Sequence, residues 1–434
     1  MSESGAKSSA GREPAGTRAK VAIIANAPSP YRLHQHKRLA HEIDEIELHS
    51  VFTHEYNVFA WKLDFDPLIH SHIFGEGEYA KGRSHPKRFV REWKRGGRII
   101  KWLKAEQPEA VAVIGFADAA RVRVLGYLHR NHIPHYIFGD SNVHGDLATG
   151  LARVFKTFFL RRMIASATGV LCCGQFGDRY FRRYGSKADA TFYVPQEPDY
   201  ALIDAVGADE VEAERAAFGL AKDRRRIVFM GRLVNVKRVD LLIDAFVRLA
   251  DDRPEWDVVI VGSGPLEDEL KARVPEPLKD RFIWTGFIDD QRRVTAIYKA
   301  CDVLCLPSTY EPWALVINEA AACGLAMVSS DVVGAAVELV RDDQNGYRFK
   351  TGDLEALTEA LGKATDAENI ERLKAGSDEV LADWGKTTDP VDGYRKALIH
   401  AGVDIAAPPA TSTGGPRDAR ANRDVELSQQ RSAS

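Results

Sequence analysis

The sequence predicts an α/β protein built of two Rossmann-like, doubly wound domains facing a central cleft. Three observations carry that expectation. Short runs rich in Val and Ile alternate with longer runs of helical period, and they are apolar throughout, as in strands buried on both faces of a parallel sheet. The alternation occurs twice, with a charged, less regular stretch at 198–226 between the two series. The second series has strands that end in glycine before a polar loop and a helix, which is how open α/β sheets build ligand sites at their carboxyl edge. At 434 residues the chain is long enough for two or three domains with real cores.

In chain order, KVAIIAN (20–26) reads as a buried strand and PYRLHQHKRLAHEI (30–43) as the helix after it. IELHSVFTH (46–54), AVAVIGF (110–116), HYIFGD (135–140), GVLCCG (169–174) and ATFYVPQ (190–196) read as further strands, with a helix at about 119–131. In the second series RIVFMG, DVVIVG, RFIWTG, DVLCLP and AMVSS are strands, and VDLLIDAFVRLA, LEDELKARV, RVTAIYKA, AAVELV and LEALTEALGKA are helices. The expected organisation is a tail at 1–18, an N-terminal domain at 19–200, a linker at 201–225 and a C-terminal domain at 226–385. A helix at 386–402, which can return to the N-terminal domain, and a tail at 403–434 complete it. Both tails are rich in Ser, Gly, Ala and charge and are expected to be disordered.

Composition narrows the partners. The net charge is −3, which argues against nucleic acid as the main ligand. Five cysteines, an odd number without paired spacing, suit a reduced compartment. The first residues lack an apolar leader and no stretch reaches membrane-span length, so the expectation is a soluble, cytoplasmic chain.

The most informative stretch is LCLPSTYEPWALVINEAAACG, Leu304 to Gly324. An apolar run stops at Pro307, a polar loop follows, and a helix-like run spans Trp313 to Cys323. Glu311 and Glu319 stand eight positions apart, so both can project toward the helix's N-terminal end. That end offers unpaired N–H groups and the positive pole of the helix dipole. Carboxylates beside an anion site suit a ligand with hydroxyls and negative charge, as a nucleotide-sugar has. In RIVFMGRLVNVKRVDLLIDAF (226–246), Gly231 permits a sharp turn at the strand's end. Arg232 and Lys237 then follow beyond the carboxyl edge, where they read either as ligands for a diphosphate or as solvated loop cations. VGSGPLEDEL (261–270) repeats the pattern, and its Gly262 and Gly264 read as nucleotide contacts or as turn residues.

Taken together, GRLVNVK, VGSGPLEDEL, FIWTGFIDD and the run from ACDVLCLPSTYEPW to DDQNGYRF resemble the C-terminal domain of family-four glycosyltransferases, retaining enzymes of the GT-B fold. The resemblance covers Arg226 to Asp353. It implies that Arg232 and Lys237 bind the donor diphosphate, Glu311 the donor sugar and Glu319 the ribose hydroxyls. The N–H groups of Trp313, Ala314 and Leu315 would approach sugar and phosphate. The chain departs from the family pattern at Ala314, usually glycine, and at Ala326, often proline. No metal or other cofactor is expected, the nucleotide-sugar being a substrate. Nucleotide-sugar epimerases, glycoside phosphorylases and non-catalytic nucleotide-sugar binders are the rival readings.

The N-terminal half resembles the same enzymes more loosely, through NAPSPYRLHQHKRLA (26–40). Acceptor recognition belongs to this half, so Tyr31 and Arg32, and Asp140 and Asn142 of FGDSNVHGD, are acceptor-side candidates. His144 is the candidate for a histidine near the donor sugar, with a surface loop histidine as the alternative. Gly115, Phe116 and Asp118 end another strand at the same edge. The histidine spacings match no standard zinc site, and Asp64-x-Asp66 lacks the leading strand of a metal-binding Asp-x-Asp motif. Two segments, near 87–104 and 151–167, read as basic amphipathic helices that either contact an anionic membrane at its cytoplasmic face or present a solvated polar face. The expected partners are therefore a nucleotide diphosphate-sugar and a glycan, lipid-linked or small-molecule acceptor. The expected role is in cell-surface polysaccharide or glycoconjugate synthesis.

Overall fold

A computed structural model describes residues 18–56, 63–79 and 88–407. Most of the two expected tails, and Lys81, Arg83 and Lys87 of the basic stretch, lie outside them.

The N-terminal domain begins β1 (Ala19–Ala25), α1 (Pro30–Glu42), β2 (Ile46–Phe52), β3 (His70–Ile73), α2 (Arg88–Glu106) and β4 (Ala110–Ile114). It continues α3 (Ala119–Arg130), β5 (His135–Gly139), α4 (Gly150–Ser166), β6 (Gly169–Cys172), α5 (Gln175–Arg183) and β7 (Thr191–Tyr193). Its seven strands are parallel, in the order β3-β2-β1-β4-β5-β6-β7. Because successive strand residues point to opposite faces, β1 sends Ala22 and Ile24 to one core and Val21, Ile23 and Ala25 to the other. The first core is closed by Ile99 and Leu103 of α2, Val124 and Leu128 of α3, and Leu160 and Met163 of α4. Leu33 and Leu39 of α1 and Tyr394 and Leu398 of the last helix lie in the second.

Between the domains run α6 (Tyr200–Asp204) and α7 (Ala208–Phe218). The stretch expected as a linker is therefore largely helical, and it packs on the C-terminal domain. Arg292 and Arg293 of that domain pair with Glu210 and Glu214 of α7.

The C-terminal domain runs β8 (Arg225–Met230), α8 (Val239–Leu249), β9 (Trp256–Val261), α9 (Glu267–Arg273), β10 (Phe282–Gly286), α10 (Gln291–Lys299) and β11 (Val303–Leu306). Then come α11 (Leu315–Ala322), β12 (Ala326–Ser330), α12 (Ala336–Leu339), β13 (Gly346–Phe349), α13 (Leu354–Ala364) and α14 (Ile370–Gly385). The six strands are parallel, in the order β10-β9-β8-β11-β12-β13. The last helix, α15 (Pro390–His400), crosses back to the N-terminal domain. Tyr136 of β5 donates to Ala397 O, and Arg38 of α1 pairs with Asp389 at 2.9 Å. Arg38 also pairs with Glu197 and Glu42, so one buried guanidinium serves three carboxylates, one on its own helix and two from distant parts of the chain. The chain stays docked past the tail boundary expected at 403, for Val403 is buried and Ala406 N–H donates to Glu45.

Two strands went unpredicted, β3 and β13. Both lie at a sheet edge with a single strand partner. An edge strand needs no continuous apolar run, and HSHI carries none.

Candidate functional site

In the C-terminal sheet β8 and β11 are neighbours, but the chain leaves β8 toward β9 and leaves β11 toward β12. The loops after these two strands therefore diverge and open a crevice at the carboxyl edge. The first loop carries Arg232 and Lys237, the second Glu311. Thr309 N–H donates to Val236 O at 2.8 Å and ties one loop to the other. Lys237 Nζ forms an ion pair with Glu311, and Glu311 Oε1 also accepts from Ser308 Oγ at 2.8 Å. Both members of the pair are largely withdrawn from solvent, whereas Arg232 is exposed and makes no side-chain hydrogen bond or ion pair among the described residues. Each half of the crevice thus supplies one sign of charge.

The glycines expected as donor contacts have a packing explanation. A Cβ on Gly262 would sit 2.0 Å from Gly231 O, and one on Gly264 would sit 2.3 Å from Leu233 O. Gly262 also has φ +129, a conformation that L side chains rarely adopt. Both let the loop after β9 lie backbone to backbone against the loop that carries Arg232.

α11 starts at Leu315, two residues later than the sequence pattern suggested. Ala314 immediately before it has φ +83 and ψ +82, a left-handed conformation that costs an L residue about 1–2 kcal/mol. That backbone shape accounts for the expectation of glycine at this position. Trp313 is buried, and its Nε1 donates to Gln196 O at 2.8 Å and Asn318 Oδ1 at 3.1 Å. Its side chain thus anchors the helix start to the segment between the domains. Glu319 is buried one layer below, accepting from Gln291 Nε2 at 3.0 Å and Tyr298 O–H at 3.1 Å. Burial pushes its carboxyl above the usual carboxylate range, and the two donors oppose that shift.

The N-terminal domain meets this crevice through the loop after β5. Asn142 is buried and donates from Nδ2 to the backbone oxygen of Glu311 at 2.8 Å. Its Oδ1 accepts from His144 N at 3.0 Å and Gly145 N at 3.2 Å, which fixes the loop's own shape. A Cβ on Gly145 would sit 2.4 Å from the Tyr310 ring, so glycine lets the two loops touch. His144 packs edge-on to Phe176, with ring centroids 4.6 Å apart. Burial lowers its pKa, Asp331 opposing and Arg179 adding to the shift. Asp140, at the end of β5, is exposed.

Three expectations for this half change. Arg32 is buried and donates to Asn26 Oδ1 at 2.8 Å and Ala27 O at 2.7 Å, so it braces the loop after β1 instead of offering its charge to an acceptor. Tyr31 beside it is half-buried. Asp118 is buried as the cap of α3, accepting from Arg121 N at 2.9 Å. Arg95, read as one of a solvated basic series, is buried and bonded to His54 and Glu78.

Other contributors escaped the sequence reading. Ser308 adjoins Glu311 and was in plain view, but the distant partners Asn142, Gln291 and Tyr298 carry no local signal. Glu338 is another: its carboxylate accepts from Gln175 N at 2.8 Å and from Trp384 Nε1 at 2.9 Å, joining α12 to the start of α5 across the interface. Gly174 lies against it, where a Cβ would sit 2.2 Å from Glu338 Oε1. Among the described residues, no group of three or more His, Cys, Asp or Glu side chains is placed to hold a metal ion.

Residues 210–382 match the family model described as Glycosyl transferases group 1. The match takes in the C-terminal domain and most of α7 before it. Over 186 residues the chain is 32% identical to the lipopolysaccharide core biosynthesis mannosyltransferase LpsB of Rhizobium meliloti, covering 41% of this chain and 51% of that one. Over 221 residues it is 30% identical to the D-inositol 3-phosphate glycosyltransferase of Mycobacteroides abscessus, covering 49% and 47%. The chain's matches thus span about half the length of these curated relatives. Among solved structures, Anabaena Alr3699/HepE in complex with UDP and glucose superposes with a TM-score of 0.64 at 18% identity, covering 89% of this chain and 100% of that one. Sucrose-phosphate synthase from Thermosynechococcus elongatus gives 0.68 at 19%, covering 89% and 98%. The two-sheet architecture is the GT-B fold.

Proposed function

We propose that the chain is a retaining glycosyltransferase that moves a sugar from a nucleotide diphosphate-sugar to a glycan, lipid-linked or small-molecule acceptor. The reading places the reaction in cell-surface polysaccharide or glycoconjugate synthesis, at the cytoplasmic side of the membrane. The observation that carries it is the meeting of Arg232, Lys237 and Glu311 at the β8–β11 crevice, opposite Asn142 and His144. The similarity to LpsB and to D-inositol 3-phosphate glycosyltransferase supports the same reading.

In this reading Arg232 and Lys237 bind the diphosphate and stabilise it as the bond from phosphate oxygen to the anomeric carbon breaks. Glu311 accepts hydrogen bonds from the donor sugar and Glu319 from the ribose hydroxyls. The acceptor oxygen bonds to the anomeric carbon on the face the diphosphate leaves, and its proton passes to the departing phosphate. No side chain is then required as nucleophile, and the transfer is metal-independent. His144 lies beside the reacting sugar, and Asp140 and Tyr31 flank the acceptor.

Purified protein incubated with UDP-, GDP- and ADP-sugars in EDTA tests this. Donor breakdown or transfer, with the product's anomeric configuration retained by NMR, is expected. Donor conversion to another sugar without acceptor would establish an epimerase, and binding without any turnover would establish a non-catalytic binder. Either result overturns the proposal.

A further inference from the structure

α4 has two apolar faces. Leu160, Met163 and Ile164 point into the core of the N-terminal domain. Leu151, Val154, Phe155 and Phe158 recur at the spacing of the opposite helix face, and with Leu147 just before the helix they are 64% to 82% exposed. A cluster of large apolar side chains held in water is unusual for a surface without a partner.

The cluster adjoins a groove between α3 and α4 of about 890 Å³. Leu125, Phe158, Phe159 and Met163 line its apolar part, and Arg130 and Arg162 its basic part. Neither α3 nor α4 contains an acidic residue. Arg130, Arg153, Arg161 and Arg162 have no carboxylate partner among the described residues. Unpaired cations therefore flank an apolar stripe. α2 also exposes apolar side chains, Phe89, Val90 and Trp93, but at 45% to 63% they are less exposed than the cluster on α4, and its Arg95 is buried.

We propose that this surface docks on an anionic lipid bilayer. Leu151, Phe155 and Phe158 would enter the boundary between headgroups and acyl chains. Arg130, Arg161 and Arg162 would meet lipid phosphates at the mouth of the groove. The charge pattern selects this occupant over a second copy of the chain, whose identical surface would bring the same cations together. Because α4 follows β5, it begins at the sheet edge that carries Asn142 and His144, so docking sets the cleft mouth beside the lipid. The inference rests on the peripheral placement proposed above, and its test is independent of transferase activity.

Flotation of the full chain with phosphatidylglycerol vesicles, with phosphatidylcholine vesicles as the comparison, tests it. Binding to the anionic vesicles at low salt is expected, falling at least tenfold in 0.5 M salt or on phosphatidylcholine. F155S/F158S and, separately, R161Q/R162Q are each expected to lower binding by roughly twenty-five-fold, about fivefold per residue. Their melting temperatures should stay unchanged, because the replaced side chains are exposed. Absence of flotation by the parent protein overturns the proposal, as does flotation unaffected by both double variants. A parent dimer that F155S/F158S converts to monomer also overturns it, assigning the face to a second copy.

Discussion

Asn142 joins the two domains at the point where Glu311 must be held, and its two ends can be tested apart. Asn142→Ala removes the bond to Glu311 O and the two bonds from His144 N and Gly145 N. Glu311 O keeps Gly334 N–H as a donor at 3.2 Å, so at about 1 kcal/mol per net hydrogen bond the loss should be about 3 kcal/mol. Asn142→Asp keeps the acceptor for both N–H groups but cannot donate to Glu311 O, so about 1–3 kcal/mol is expected from the interdomain contact alone. Urea unfolding followed by circular dichroism gives the two losses. Steady-state turnover with the preferred donor gives the functional effect. Turnover of Asn142→Asp should fall at least tenfold while affinity for the bare nucleotide diphosphate changes less than threefold, because Glu311 is assigned to the sugar. An Asn142→Asp protein with the parent's stability and turnover would refute the assigned role of this contact.

Gly262→Ala drives a methyl group into Gly231 O and should cost about 3 kcal/mol or displace the Arg232 loop, visible as a lowered melting temperature with weakened nucleotide binding. An unchanged protein would show that the two loops do not nest as described. Lys237 and Glu311 should couple in a double-mutant cycle, Lys237→Gln with Glu311→Gln, by about 1–3 kcal/mol in stability. Additive losses would contradict the ion pair. His36 is wholly buried, with Nδ1 on Ser50 Oγ at 2.7 Å, and burial pushes its pKa down from 6.5 to about 3. Between those two values the unfolded chain binds a proton that the folded chain refuses, so stability is lost as pH falls below 6.5, by up to about 1.4 kcal/mol per pH unit. His36→Gln should flatten this acid limb by about one proton. An identical slope in the variant would show that His36 does not carry the effect.

The sequence made the C-terminal site legible because its parts are local. A strand end, a glycine, two cations and two glutamates lie in short runs whose geometry follows from strand and helix periods. The site's mutual contacts are not local. The Lys237–Glu311 pair spans 74 positions and the Asn142–Glu311 contact 169, and neither leaves a pattern in composition or period. The fate of two arginines was hidden as well. Arg32 was expected to face an acceptor and Arg95 to lie in a solvated basic run, yet both are buried, Arg32 on the nearby Asn26 and Ala27 and Arg95 on the more distant His54 and Glu78. Ala314 shows the converse. A glycine was expected there from resemblance alone, and the structure gives the reason in a φ of +83.

The central claim is that the β8–β11 crevice holds a nucleotide diphosphate, and isothermal titration of Arg232→Ala against the parent tests it most directly. Arg232 is exposed and makes no side-chain bond among the described residues, so the variant should fold normally. Loss of one charge-assisted contact, about 1.5–3 kcal/mol, predicts binding of the preferred diphosphate weaker by roughly 10- to 150-fold, with an unchanged melting temperature. Equal affinity in the two proteins would contradict the account.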